Sequence, residues 1–228
     1  YFCAIYKSID ETNILTKSQV ATVKAKGWIP QYYDYDSGWW KEYEGLDDVY
    51  ISIDATNFPD ANFRNWLLKQ YYGKDGVLTD EEIAGITYID VSYEEISSLK
   101  GIEYFTALTG LVCYCNQLTA LDVSQNTELI WLYCSDNQLT ALDVTKNTAL
   151  TDLECYRNNI KGEVMTALIN SLPNNSSSED HYFCAIYKPI NETNILTKSQ
   201  VTAVKAKGWI PLYVNSDGWW DEYEGSDD

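Results

Sequence analysis

The sequence predicts an α/β solenoid with a cap at each end, and three observations carry that prediction. Leucines recur every 21 residues through the middle of the chain. An amphipathic helical segment stands ahead of them. One 30-residue stretch occurs twice, at 1–30 and again at 182–211. The expected organisation is an extra copy of the C-terminal cap unit at 1–46, a helical N-terminal cap at 47–85, about four coils at 86–161, and a terminal helix, linker and C-terminal cap at 162–228.

The coils are the most regular part of the chain. Leu108, Leu129 and Leu150 open segments that read LTGLVCYCNQLTALDVSQNTE, LIWLYCSDNQLTALDVTKNTA and LTDLECYRNNIKG. Upstream, Ile86, Ile89, Val91, Ile96 and Leu99 follow the same spacing for one diverged coil of 22 residues. A period of roughly 20 to 29 residues is that of leucine-rich repeats, in which each coil supplies one short strand and a return segment. A single coil cannot bury its own apolar face. Leu111, Leu132 and Leu153, with Leu118, Leu139 and Ile160, must therefore stack on their counterparts in adjacent coils. Asn116, Asn137 and Asn158 stand where each strand turns into the loop, and their amides suit the backbone groups that such a turn leaves buried.

Cys113, Cys134 and Cys155 form a column of their own, each in CxxN. Parallel strands about 4.8 Å apart point these thiols the same way, which suits side-by-side packing better than a disulfide torsion. They are expected to be reduced and buried, and Cys115 to face the other way. With the LTxLDV runs and the pairs Asn126, Thr127 and Asn147, Thr148, this column resembles the cysteine-ladder leucine-rich repeats of the internalin type. It resembles more closely the repeat proteins secreted by anaerobic gut and oral bacteria. The resemblance covers about residues 49–228. It implies a curved solenoid used for adhesion or recognition, secreted or held at a bacterial surface, with a unit like 182–228 closing the C-terminal end of the array.

Caps flank the coils. Phe63, Trp66 and Leu67 share one helical face, and Thr79 with Glu82 has capping-box spacing ahead of Ile83. This unit reads as the cover that the first coil needs. The duplicated unit matches at 26 of 30 positions, differing at Ser8, Asp10, Ala21 and Thr22 against Pro189, Asn191, Thr202 and Ala203. After one deletion the match resumes at Gly38 and Gly218. Each copy reads as strand, helix, hairpin. The helix opens at Thr16 or Thr197 with a Gln three residues later and ends before Gly27 or Gly208, and Asp36, Ser37, Gly38 and Asp217, Gly218 supply turns. The first copy runs through Asp47 and Asp48 into Val49, and Asp228 is the counterpart of Asp48. The chain therefore reads as a slice of a tandem array, whose first cap unit docks on the chain's own N-terminal cap or on a neighbour, with head-to-tail self-association as one outcome.

Composition bounds the function. The net charge of -18, from 34 acidic and 16 basic residues, would repel a phosphate backbone, so nucleic acid is not an expected partner. No window approaches the roughly 20 apolar residues of a spanning helix, and the chain reads as a soluble, processed or excised piece without membrane insertion. No cofactor is expected. KDGVLTDEEI resembles the second half of a calcium loop, but Tyr71 and Gly73 stand where the first side-chain ligands belong, which leaves Asp75 and Glu82 as a weak metal site and favours Glu82 as a capping group. No CxxC pair has zinc spacing, and the single histidine, His181, reads as part of a polar linker. Asp152 with Glu154 is the one carboxylate pair placed on the sheet surface; a glycosidase could use such a pair, but the reading is that of a protein without catalytic residues.

Strand alternation turns Tyr88, Asp90, Val112, Tyr114, Trp131, Tyr133, Asp152, Glu154 and Tyr156 outward onto one concave face. Rings beside an acidic edge suit a protein partner, and flat rings also stack on sugars. A non-catalytic module binding a protein or glycan ligand is therefore expected. The alternative is a structural spacer in which the rings merely cover the sheet.

Overall fold

The structure is a computed structural model that describes residues 2–6, 17–34, 39–42, 50–176, 178–189 and 192–227. The expectations at Ser8, Asp10, Thr16, 36–38, Asp47, Asp48 and Asp228 lie outside these residues. In chain order the elements are β1 (Phe2–Tyr6), α1 (Lys17–Ala25), β2 (Pro30–Asp34), β3 (Trp39–Glu42), β4 (Tyr50–Ser52), α2 (Ala61–Lys69), β5 (Val77–Thr79), α3 (Asp80–Gly85), β6 (Tyr88–Asp90), β7 (Gly110–Val112), β8 (Trp131–Tyr133), β9 (Asp152–Glu154), α4 (Glu163–Ser171), β10 (His181–Tyr187), α5 (Lys198–Ala206), β11 (Trp209–Val214) and β12 (Trp220–Glu222). They divide into two units, one of Tyr1–Asn57 with Arg64–Glu82 and one of Phe58–Phe63 with Ile83–Asp228.

The first unit holds a three-stranded sheet in the order β1-β2-β3, with β1 parallel to β2 and β2 antiparallel to β3. It also holds a feature that the helical reading of 47–85 lacks: β4 and β5 pair antiparallel, with Ile51 opposite Leu78. The turns at the two ends of β5 keep their polar groups busy. Asp75 accepts the Val77 N–H at 3.2 Å. Glu82 accepts the Thr79 N–H and hydroxyl at 2.9 Å while Thr79 Oγ1 accepts the Glu82 N–H, which is the reciprocal capping box its spacing implies.

The second unit is built on a seven-stranded sheet in the order β12-β11-β10-β9-β8-β7-β6. The four coil strands β6 to β9 are parallel and in register, so Ile89, Leu111, Leu132 and Leu153 form one row, and all four are fully buried. Leu108, Leu129 and Leu150 and the row Leu118, Leu139, Ile160 are fully buried as well. Removing apolar surface from water at about 25 cal/mol per Å² makes each leucine worth roughly 2 kcal/mol, and only stacking between coils supplies that burial.

Polar atoms that the coil turns carry inward are met by two asparagine columns. Asn137 Oδ1 accepts the Leu118 N–H at 2.9 Å, and its Nδ2 donates to the carbonyls of Cys113 and Cys134 at 3.0 and 3.2 Å. Asn116 and Asn158 repeat this one coil to either side. The second column is fully buried Asn126 and Asn147, whose amides donate to Ile102 and Phe105, and to Val123 and Asn126. An unpaired buried backbone group costs about 1 to 3 kcal/mol, so these amides are as necessary as the leucines.

Within the same unit, the segment Phe58–Phe63 lies against the first coil. Phe58 meets Phe63 and Tyr104 edge-on, each at 5.7 Å. Asp60 accepts the Ser97 N–H and hydroxyl and the Ser98 N–H. Burial pushes the Asp60 carboxyl up, but these donors together with the Phe63 and Asn62 N–H groups hold it below its ordinary value.

At the other end, β10 continues the coil sheet parallel to β9, α5 crosses over to β11, and β12 returns antiparallel. The capping box at Thr197 and Gln200 is present with both bonds, and Gly208 and Gly218 adopt the left-handed backbone their positions require. His181 is not in a linker: it is the first residue of β10, half-buried, with its ring edge-on to Trp209 at 5.1 Å. Burial lowers its pKa while Asp152 pulls the other way. The polarity of SSSED gives no warning that the sheet resumes one residue later.

Candidate functional site

Strand alternation places the outward residues in two rows across the coil sheet. One runs Tyr88, Gly110, Trp131, Asp152, Tyr182, and the other Asp90, Val112, Tyr133, Glu154, Cys184. Eight of the nine residues expected on this face reach solvent. Val112 does not: it is 6% exposed, because as a short aliphatic side chain between Asp90 and Tyr133 it is the floor on which larger groups rest.

The aromatic part of the site depends on a glycine that sequence reasoning passed over. A Cβ at Gly110 would stand 2.8 Å from Tyr88 Cδ2 and 3.2 Å from Trp131 Cε3. The absence of that atom lets the two rings close toward each other over the sheet, where they remain 54% and 42% exposed. Tyr114 lies edge-on to Tyr93 at 5.3 Å. The glycine at the outward position of LTGLVC, where the next coil has Trp131, is the signal that could have found this.

The acidic part lies one coil further on. Burial first, and then the neighbouring Asp152, push the Glu154 carboxyl up to about 7. Burial, Asp152 and Glu154 push Tyr133 up to about 12. Asp152 also accepts the Thr151 hydroxyl. Asp152 and Glu154 thus sit on one strand face as expected, beside Trp131 and Tyr133.

The face does not end with the coils. Tyr156 stacks on Tyr187 at 5.5 Å and 26°, and the Arg157 guanidinium lies 5.3 Å over the Tyr187 ring while pairing with Asp136 at 2.9 Å. Cys184, buried in register with Glu154, packs with Tyr156, Tyr182 and Tyr187. The extension by Tyr182 and Tyr187 was not legible from the repeat pattern, because these residues belong to the cap.

The thiols separate into two groups. Cys113, Cys134 and Cys155 are free and fully buried, and burial raises all three pKa values, Cys134 to about 12. Cys115 is free and half-buried, with a left-handed backbone (φ 55°) that it shares with Asp136 and Arg157 at the same place in later coils. Among the described residues, no cluster of three or more metal-ligating side chains occurs.

No protein-family model matches the chain. Over 71 residues, 31% of the chain, it is 37% identical to internalin J of Listeria monocytogenes serotype 4b (strain F2365), of whose length the match spans 8%. A solved functional domain of internalin J from Listeria monocytogenes, which includes a cysteine ladder, matches at 37% identity over 50% of this chain and 25% of that one, with a TM-score of 0.45. A solved internalin F from the same species matches at 24% identity over 72% of this chain and 45% of that one, with a TM-score of 0.48. The organism these matches name is Listeria, and they lend no support to the finer likeness to proteins of gut and oral anaerobes. The repeats are internalin-like leucine-rich repeats with a cysteine ladder, related in sequence to those of internalin J.

Proposed function

We propose that this chain is a non-catalytic recognition module of a secreted or surface-held bacterial protein, and that the outward face of β6 to β9 binds a protein ligand. The observation that carries this reading is the pairing of large exposed rings, Tyr88 and Trp131, with the acidic pair Asp152 and Glu154 on one continuous sheet surface. Exposed tryptophan and tyrosine beside charge is the composition of binding hot spots. A chain carrying -18 favours a basic partner surface and steers it in at low salt. The relatedness to internalin J supports the reading at the level of protein class, and the chain spans only a small part of that relative.

Screening the chain against arrays of cell-surface proteins and of glycans identifies the ligand class. Trp131→Ala with Tyr133→Ala should then weaken binding by about 2 kcal/mol or more while leaving stability nearly intact. Unchanged binding by the double variant would move the site elsewhere, and glycan hits alone would replace the protein ligand with a sugar stacked on the rings. The duplicated cap unit favours a second reading, a tandem spacer, in which alanine at both rings changes no interaction.

A further inference from the structure

The two copies of the cap unit share a fold but not their surroundings. The register of β1 on β2 (Phe2 to Pro30, Cys3 to Gln31, then a shift to Ile5 with Tyr32) repeats residue for residue in β10 on β11 (Phe183 to Pro211, Cys184 to Leu212, then Ile186 with Tyr213). α1 and α5 sit at the same offset of 181 residues. In the second copy, one side of this unit is covered by the last coil and by the helix and loop that lead out of it. β9 pairs along the free edge of β10. Trp209 is 1% exposed and donates its Nε1–H to the Pro173 carbonyl at 2.7 Å. Lys207 Nζ donates to the carbonyls of Asn170 and Leu172 at 2.9 and 2.6 Å. The Asn175 carbonyl passes so close to Gly208 that a Cβ there would meet it at 2.6 Å.

The first copy keeps these groups and holds them at the surface. Trp28, the counterpart of Trp209, is 48% exposed, and Ile29 beside it is 46% exposed. Lys26 is exposed, and around a Cβ at Gly27 there is nothing within 4 Å. Among the described residues no strand pairs with the other edge of β1.

We propose that the first cap unit is a docking surface for the last coil of a leucine-rich-repeat array, a segment with the chemistry of Thr151–Asn175, lying ahead of it in the same polypeptide. The strand of that coil pairs parallel with β1, the carbonyls after its helix receive Lys26, and the loop beyond them covers the exposed face of Trp28. A second copy of this chain does not supply the occupant, because its own segment is already paired with β10 and covered by Trp209. The two copies then close successive arrays, and successive recognition faces are held in series.

The test fuses a copy of residues 50–181 directly ahead of Tyr1, recreating the His-Tyr junction of the second copy. Hydrogen exchange is read on the peptide spanning 1–10, whose mass differs from that of 182–191. The amides of β1 are expected to slow by about tenfold or more on fusion, approaching the rates of β10. Acrylamide quenching assigned to Trp28, by difference from Trp28→Phe, should fall with them. Unchanged exchange at β1 in a folded fusion would overturn the proposal. So would amides already as slow as those of β10 in the unfused chain, whether light scattering shows a dimer or a monomer, since the surface would then be occupied by a second copy or by the chain itself. A complementary variant replaces 182–228 with 1–48 behind Asn175 and His181. It should unfold cooperatively within about 5 °C of the parent, and loss of the cooperative transition would show that the first copy does not close a coil.

Discussion

Two stretches of this chain, 1–30 and 182–211, are nearly the same sequence in different settings. Trp209 is buried against the carbonyl of Pro173, while Trp28 lies half in water. Local propensity explains what the copies share: the strand, the helix and the left-handed glycine after it. It explains nothing of where they differ, because the burial of Trp209 is supplied by residues 150–175. A tryptophan at this position becomes core only when a coil is laid against it.

The largest expected effect separates the copies directly. Trp209→Ala removes a fully buried indole and leaves the Pro173 carbonyl without its donor, and should cost about 3 to 5 kcal/mol in chemical denaturation. Trp28→Ala should cost about 1 kcal/mol or less. Equal losses would mean that the first copy has as complete a core as the second.

The next effect asks how far the cap imitates a coil. Asn194 Oδ1 accepts the Ile160 N–H at 2.9 Å, and its Nδ2 donates to the carbonyls of Cys155 and Ala185 at 2.7 and 3.0 Å. That is the pattern of Asn137 two levels further on, one beyond Asn158, with Ala185 in the place of a ladder cysteine. Asn194→Ala and Asn137→Ala should therefore destabilise by similar amounts, on the order of 2 to 3 kcal/mol each. A negligible loss at Asn194 would make the cap a lid rather than a further rung.

A smaller effect depends on pH and belongs to the junction of coil and cap, since Cys184 of β10 lies in register with Glu154. The ordinary glutamate value is 4.5 and the folded value about 7, so between the two the native state holds a proton that the unfolded state has lost. Stability therefore falls as pH rises from 4.5 to 7, by about 2 kcal/mol after allowance for solvent screening, and Glu154→Gln should flatten that slope. A parent and variant with parallel pH profiles would place the carboxylate in water. Ionisation of Glu154 in the folded protein alters the charge of the proposed recognition face, so binding of a basic ligand should strengthen as pH rises through about 7.

The smallest effect concerns the thiols. Alkylation of the native protein should label Cys115 and spare Cys113, Cys134, Cys155 and Cys184, with the four reacting only after unfolding. A disulfide between any two of the ladder cysteines, seen by mass spectrometry, would break the stacked-thiol reading.

Periodicity alone determined the coils. Leu111, Leu132 and Leu153 share a register that comes from a 21-residue spacing, since a one-residue slip would turn every leucine outward. The asparagine and cysteine columns come from the same spacing, while the capping boxes at Thr79 and Thr197 come from a Glu or Gln three residues on and are local by construction. Tertiary structure alone decided what aperiodic residues do. Asn194 stands 36 residues after Asn158 and breaks the period, yet completes the same ladder, because hydrogen-bond geometry in space is indifferent to the length of chain between two rungs. Gly110 opens room for two rings that come from the coils on either side of it, and Val112 sinks beneath its neighbours for want of length. His181 joins the sheet by pairing with Trp209 of β11, one residue before β10 comes into register with β9. Sequence determines which groups each residue carries and which neighbours along the chain it can meet. Whether Trp28 or Trp209 ends in water depends on a surface that each tryptophan does not itself encode.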